Sequence, residues 1–255
     1  MPVGVQRDQP DGVPPLALTG ERTLPDVPPE NYWFRRHLAV YEWIAPRVAG
    51  LRVLDMACGE GYGSAVLAGS AASVVGVDAN PEAHEHARLR YRARNLRFER
   101  ALVESFSAPA DAVVFLQTIE HLLEPARALE HFRGLVGERG RVFVSTPNVL
   151  TLAPKGAARS GNPWHVYEYR AREFEALCSE SFASVQIYGL FHARKLRAHE
   201  HALRLGWDRM HRSLGVTERF YGWFVPAISV SDFALRAAGA AQLDRALDLL
   251  AVCRG

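Results

Sequence analysis

The sequence predicts an α/β fold built on an open, mostly parallel sheet with helices on both faces. Short and almost unbroken apolar stretches alternate with helical patterns between residues 31 and 147. Strands of this kind are buried on both faces, which is typical of parallel sheets covered by helices. A glycine-rich turn, "LDMACGEGYG" at 54–63, follows the first of these strands. Ligands bind at this place in many such sheets.

Composition and charge narrow the possible classes of protein. The chain has 255 residues and a formal net charge of +2 at pH 7, which gives no indication of a nucleic-acid or membrane-surface partner. Cys58, Cys178 and Cys253 are far apart, so the sequence predicts neither a disulfide framework nor a zinc site. No signal peptide and no apolar run of membrane-spanning length is recognisable, and we expect a cytoplasmic protein.

The N-terminal part divides into an arm and a helix. Residues 1–28 are rich in proline and polar residues, and we expect a mobile arm that is ordered only where it docks. A single domain is predicted for 29–255. Its first helix, over 31–48, is indicated by residues that recur at three- and four-residue steps, namely Trp33, His37, Val40, Tyr41 and Ile44.

The strand–helix alternation then fills the segment up to Pro147. Helices are predicted over 61–70, from Pro81 onward, where proline suits a first helical position, and from about Pro125 to Leu135. The five predicted strands are 52–57, 73–78, 96–101, 111–117 and 140–146.

The pattern changes after Pro147. A long loop is predicted over 148–168 and a helix over 172–181, followed by strands at 183–190 and 246–254. The stretch between these strands, 190–244, carries an apolar stripe at helical spacing and is predicted to be a helical insertion or cap. Its excess of arginine indicates either a solvated helix face or a site for an anionic partner.

The glycine-rich turn is the main functional signal. Gly59, Gly61 and Gly63 allow positive φ angles and close approach of a ligand to the backbone. Asp55 lies near the end of the first strand, and Asp78 ends the second, where an acid accepts hydrogen bonds from a ribose diol.

Two classes of nucleoside cofactor share this geometry. A nicotinamide cofactor places a pyrophosphate at the helix N-terminus, where Asp55 is unfavourable, and Ser64 replaces the last glycine of its usual fingerprint. S-adenosylmethionine has no phosphate and carries two cationic groups, for which an acid near the loop is favourable. The pattern therefore favours S-adenosylmethionine, with a nicotinamide oxidoreductase and a ligand-free turn as alternatives.

With these motifs, the chain resembles the class I S-adenosylmethionine-dependent methyltransferases over about 31–150, 170–190 and the final strand. The resemblance implies a Rossmann-like seven-stranded sheet of order 3-2-1-4-5-7-6 with an antiparallel last strand. It implies that Asp55, Gly59 and Gly61 surround the methionine part and that Asp78 holds the ribose. It also implies that Val103 flanks the adenine and that Gln117 lies against the methionine portion. Leu102 stands where many relatives have an acid or amide.

A narrower resemblance is carried by blocks outside the cofactor motifs, and it is to the 1-O-methyltransferases of methylmannose polysaccharide synthesis. The blocks are "LTGERTLPDVPPENYWFRRH" (18–37), "QTIEHL" (117–122), "STPN" (145–148), "NPWH" (162–165) and "GLFH" (189–192). This resemblance implies a saccharide hydroxyl as acceptor, most specifically the 1-OH of a short methylated mannoside. The alternatives are the hydroxyl of an antibiotic sugar, quinone or polyketide, and a non-catalytic partner protein that only binds the cofactor.

Methyl transfer to a hydroxyl requires a group that takes the hydroxyl proton. A neutral imidazole suits this at cellular pH. His121 lies just beyond the fourth strand and is the predicted base, with a histidine bonded at a helix end as the alternative. Its neighbour Glu120 is predicted to orient the imidazole or to bind a metal, or else simply to begin the next helix.

Five further residues are predicted to contact the acceptor, namely Tyr32, Trp164, His165, Tyr167 and His192. Trp164 is equally well explained as an anchor of its loop. Arg35 is predicted to grip the cofactor carboxylate from the N-terminal helix, which otherwise faces solvent or a second copy in a homodimer. No cluster of carboxylates and histidines has recognisable ligand spacing, so no metal is predicted.

Overall fold

A computed structural model describes residues 4–20 and 22–255, in which eight strands form one mixed sheet. The strands are β1 (Arg52–Met56), β2 (Ser73–Asp78), β3 (Leu96–Arg100), β4 (Ala112–Leu116), β5 (Arg141–Pro147), β6 (Ser184–His192), β7 (Phe233–Ala237) and β8 (Asp248–Arg254). Their order is β3-β2-β1-β4-β5-β8-β6-β7. The first five are parallel to one another, whereas β8 runs antiparallel to both β5 and β6.

Helices cover both faces of the sheet, as the apolar strands predict. They are α1 (Asn31–Ile44), α2 (Tyr62–Ala68), α3 (Pro81–Arg90), α4 (Pro125–Val136), α5 (Val149–Leu152), α6 (Ala171–Ser179), α7 (Arg194–Arg204), α8 (Trp207–Ser213), α9 (Thr217–Phe224) and α10 (Ala240–Leu243). One core contains Phe132 of α4 and Phe174 of α6, and the opposite core contains Ile44 of α1 and Leu67 of α2. None of the described helices is long and apolar enough to cross a membrane.

The predicted class and the antiparallel last strand are confirmed, but the predicted number of seven strands is wrong. The segment 190–244, expected to be helical, contains β7, which pairs antiparallel with β6 at the sheet edge. In β7, Phe233 is buried and Leu235 half-buried, while the intervening Ala234 and Arg236 are exposed. This two-residue alternation is short and includes alanine and arginine, so it gives little strand signal.

The described part of the N-terminal arm docks beside the glycine loop. Leu16, Leu24 and Val27 form a small buried cluster of their own. Gln6 is buried and donates through Nε2 to Oε1 of Glu60, 3.1 Å away, within the glycine loop. The arm therefore contributes to the edge of the sheet at which the loop lies.

Candidate active site

A cavity of about 360 Å³ opens at the carboxyl ends of β1, β2 and β4. This is the edge at which open parallel sheets bind ligands. The residues that line it are Arg22, Thr23, His37, Val40, Tyr41, Ala57, Cys58, Gly59, Glu60, Tyr62, Asp78, Ala79, Asn80, Leu102, Val103, Glu104, Leu116, Gln117, Thr118, His121, Leu122 and Ser145.

The glycine loop packs too closely for side chains at two positions. A Cβ at Gly63 would lie 2.1 Å from the ring of Tyr41, so glycine is what lets α1 approach α2. At Gly61, φ is +98° and a Cβ would lie 2.8 Å from Cβ of Ala87. These glycines thus shape the loop from behind, whereas Gly59 itself lines the cavity.

Asp78 is fixed at the cavity wall by the backbone. One carboxylate oxygen accepts from N–H of Gly59 at 2.8 Å, and the other accepts from N–H of Asn80 at 2.9 Å. Each carboxylate oxygen has a further lone pair, so Asp78 can also accept hydrogen bonds from a diol. The ribose-binding role of Asp78 stays a prediction.

Asp55 lies beneath the loop and is not part of the cavity lining. It is fully buried and accepts hydrogen bonds from the hydroxyls of Tyr41 at 3.1 Å and Ser64 at 2.6 Å. Burial raises the pKa of Asp55 from its usual value near 3.8 to about 7. Through Tyr41, which lines the cavity, Asp55 supports the wall on which the predicted methionine part would lie.

The pKa of Asp55 predicts a pH dependence of stability. Because the folded state holds this proton more tightly than the unfolded state, the free energy of unfolding should fall as pH rises from about 4 to about 7. The variant Asp55→Asn keeps an acceptor but cannot ionise, so its fall over this range should be shallower. Denaturant unfolding measured at several pH values checks this, and equal slopes for the two proteins would contradict it.

The other predicted cofactor residues divide between the cavity and its surroundings. Val103 and Gln117 line the cavity, and the amide of Gln117 donates to the hydroxyl of Ser145 at 3.0 Å. Arg35 does not line it, and its Nε donates to Oδ1 of Asn31 at 3.1 Å. Arg22 of the N-terminal arm lines the cavity instead. The sequence carries no signal for this, because the position of Arg22 depends on how the arm docks.

His121 lines the cavity from a short 3-10 helix, Ile119–His121, directly after β4. Its Nδ1 lies 2.7 Å from the carbonyl oxygen of Trp164. A carbonyl only accepts, so Nδ1 carries the hydrogen and the lone pair of the neutral ring is on Nε2. The contact therefore fixes the tautomer that a general base needs.

Glu120 lies behind His121 and is 1% exposed. Its backbone carbonyl accepts from N–H of Val166 at 2.8 Å, which ties the 148–168 loop to the end of β4. Its carboxyl oxygen Oε2 is buried and makes no hydrogen bond with any described residue. Burial raises the pKa of Glu120 to about 8.

The predicted acceptor residues form two groups. In the first, the His165 ring lies 5.1 Å from the His121 ring, and Trp164 and Tyr167 are about half exposed nearby in sequence. In the second, the hydroxyl of Tyr32 and Nε2 of His192 lie 2.8 Å apart. None of the five lines the cavity, and their roles stay predictions.

A second histidine in the cavity wall, His37, is missing from the sequence-based candidates. Burial lowers its pKa to about 4, so it is neutral at cellular pH but is a weak base. His37 precedes Tyr41 by one helical turn on α1, and both line the cavity. The helical spacing was therefore a usable signal, although it did not distinguish a cavity residue from a core residue.

A family model and individual related proteins all identify this chain as similar to methyltransferases. A sequence family described as a methyltransferase domain matches residues 30–200. A probable S-adenosylmethionine-dependent methyltransferase of Mycobacterium tuberculosis is 37% identical over 246 residues, which cover 93% of this chain and 89% of the relative. A ubiquinone biosynthesis O-methyltransferase of Xylella fastidiosa is 35% identical over 120 residues, covering 44% of this chain and 48% of that protein.

Solved structures agree on the fold. The structure of an S-adenosylmethionine-dependent methyltransferase from Mesorhizobium loti has a TM-score of 0.56 at 16% identity and covers 86% of this chain and 98% of its own. A magnesium protoporphyrin IX methyltransferase from Synechocystis, with bound S-adenosylhomocysteine, has a TM-score of 0.51 at 20% identity and covers 62% of this chain and 78% of its own.

Proposed function

We infer, since this chain belongs to the S-adenosylmethionine-dependent methyltransferase family, that its methyl acceptor is a saccharide hydroxyl. Methyltransferase activity and the use of S-adenosylmethionine follow from the family itself. The saccharide acceptor, most specifically the 1-OH of a short methylated mannoside, is our proposal. It rests on the sequence blocks outside the cofactor motifs and on the contact between two of these blocks at His121.

The residues of the cavity fit S-adenosylmethionine. Asp78 is held with lone pairs available for the ribose hydroxyls, and Gly59 exposes backbone at the wall. Arg22 lines the cavity, which makes it a better candidate than Arg35 for binding the cofactor carboxylate. When bound, the cofactor supplies a methyl group already activated by its sulfonium. The protein therefore has to align an oxygen nucleophile, remove its proton and exclude water.

The observation that carries the proposed O-methylation is the hydrogen bond between Nδ1 of His121 and the Trp164 carbonyl. It keeps the lone pair on Nε2 of a residue that lines the cavity, so we propose that Nε2 accepts the proton of the acceptor hydroxyl. His37 also lines the cavity and is an alternative base, but its pKa of about 4 makes it a weak base at neutral pH.

The same contact supports a saccharide acceptor. It joins the blocks "QTIEHL" (117–122) and "NPWH" (162–165), which are far apart in the sequence but adjacent at the proposed base. The loop also exposes Trp164 and Tyr167, whose apolar ring faces suit contact with a sugar ring. A quinone hydroxyl is the second candidate, because the Xylella fastidiosa relative is named for ubiquinone biosynthesis, although it matches less than half of this chain.

An acceptor panel tests the saccharide proposal. Purified protein with S-adenosylmethionine is offered short methylated mannosides, their 1-O-blocked analogues, unmethylated mannosides and a hydroxylated quinone, and released S-adenosylhomocysteine is measured. We expect turnover with the methylated mannosides only when the 1-OH is free. Turnover confined to the quinone would overturn the acceptor, and calorimetry with S-adenosylhomocysteine separately verifies that the cofactor site is intact.

A further inference from the structure

Three side chains with metal-binding atoms converge beside the cavity. Glu120, His121 and His165 each offer one ligand atom, and these atoms all lie within 4.8 Å of one another. The sequence offers metal binding only as one of several roles of Glu120 and does not predict the cluster, because Glu120 and His121 are adjacent and His165 lies on a distant loop. The hydrogen bonds of the Glu120 carbonyl with N–H of Val166 and Tyr167 hold that loop against the end of β4.

We propose that Glu120, His121 and His165 bind a divalent transition-metal ion. Two imidazoles and one carboxylate form a donor set that suits zinc, iron, cobalt or nickel better than magnesium or calcium, which prefer oxygen ligands. Three protein ligands leave open positions on the ion for a water or a substrate hydroxyl.

Both histidines are oriented as metal ligands usually are. Nδ1 of His121 donates to the Trp164 carbonyl, and Nδ1 of His165 donates to Oε1 of Glu168, both at 2.7 Å. Ligating histidines typically donate their other N–H to a carbonyl or carboxylate in this way, which fixes the ring and raises its basicity. In both residues the lone pair is therefore on Nε2.

The buried carboxyl group of Glu120 supports the metal site independently of the histidines. Its Oε2 is fully buried without a hydrogen-bond partner among the described residues, although a buried polar atom normally has one. A bound ion would satisfy this oxygen. It would also replace the contact of 3.0 Å between the Asn162 amide and Nε2 of His165, so Asn162 would have to turn away.

The required movements are small. Ligand atoms around a zinc ion at about 2.1 Å are separated by about 3.4 Å in a tetrahedral site. The present separations of up to 4.8 Å must therefore shrink by about 1 Å or somewhat more. His165 lies on a loop, so side-chain rotation can provide most of this change.

An ion here would change how the acceptor hydroxyl is activated. The ion can bind whether or not the proposed function is correct, but its role in activating the acceptor hydroxyl rests on the proposed function. With Nε2 of His121 occupied by the ion, the hydroxyl would bind at an open position, where its pKa falls and its proton passes to solvent. His121 is needed in either case, whereas His165 is needed only if the ion binds.

Cobalt binding to the metal-free protein tests the site. Protein treated with chelator is titrated with Co²⁺, and visible absorption and bound cobalt are measured for the wild type, His165→Gln, Glu120→Gln and the control His131→Ala. His131 is half-buried outside the cavity and bonds to the Phe106 carbonyl, so it matches the ligands in type but not in place. We expect one equivalent of cobalt in the wild type and control, and at least tenfold weaker binding in the two ligand variants.

The outcomes separate this proposal from the proposed function. A wild type that binds no cobalt, or ligand variants that bind it as tightly as the control, would overturn the metal site. Calorimetry with S-adenosylhomocysteine shows whether each variant is folded around its cavity. If the metal-free protein binds no cobalt but still methylates a mannoside, the metal site is rejected and the saccharide proposal stands.

Discussion

Replacing His121 by alanine is expected to lower kcat by about 10²- to 10⁴-fold, the usual contribution of a positioned general base. The loss follows whether the imidazole takes the proton itself or holds an ion that acidifies the hydroxyl. Affinity for S-adenosylhomocysteine should change little, because Asp78 and Gly59 keep their places at the other wall of the cavity. Single-turnover kinetics with a responsive acceptor and calorimetry with S-adenosylhomocysteine measure the two effects separately.

His131→Ala is the matched control for this experiment, since it removes a half-buried imidazole that does not line the cavity. It should retain turnover close to the wild type. Near-normal turnover by His121→Ala would reject His121 as the base. If His37→Gln then abolished turnover with cofactor binding retained, the proton would go to the other histidine of the cavity wall.

The cofactor half of the site could be predicted from the sequence because its signals are local. A strand, a glycine turn and the helix after it are consecutive in the chain, so Gly59 falls on the cavity wall by connectivity alone. Asp78 ends the neighbouring strand and reaches the same edge for the same reason. Asp55 was harder, because its burial beneath Tyr41 depends on how α1 packs over the loop.

The acceptor half could not be predicted to the same extent, because it depends on contacts between distant segments. Arg22, which is proposed for the cofactor carboxylate, could not be predicted for the same reason, because it lines the cavity through the docking of a proline-rich arm. His165 approaches His121 because the Glu120 backbone and the His121 ring both bind the loop that carries it. The sequence does not predict β7 for a different reason. Every second residue of this edge strand is exposed, so its apolar pattern is weak.

Replacing Arg36 by methionine is expected to destabilise the protein by about 3–5 kcal/mol, because it leaves a buried carboxylate unpaired. Nε of Arg36 donates to Oδ2 of Asp248 at 2.7 Å, and a second nitrogen donates to the Leu247 carbonyl at 2.7 Å. The side chains are only 5% and 2% exposed. Methionine keeps the apolar stem but not the charge. Chemical denaturation monitored by circular dichroism measures the loss of stability.

The exposed pair of Arg52 and Asp111 provides the control, because its side chains are 56% and 38% exposed and such pairs contribute about 0–1 kcal/mol. Arg52→Met should therefore cost little. The loss of stability in Arg36→Met arises from an unpaired buried charge, so adding Asp248→Leu should recover much of it. An equal or greater loss in the double variant would contradict this cause.

Arg36 also fixes α1, which carries His37 and Tyr41 to the cavity wall. The single variant should consequently bind S-adenosylhomocysteine more weakly even at temperatures where it remains folded.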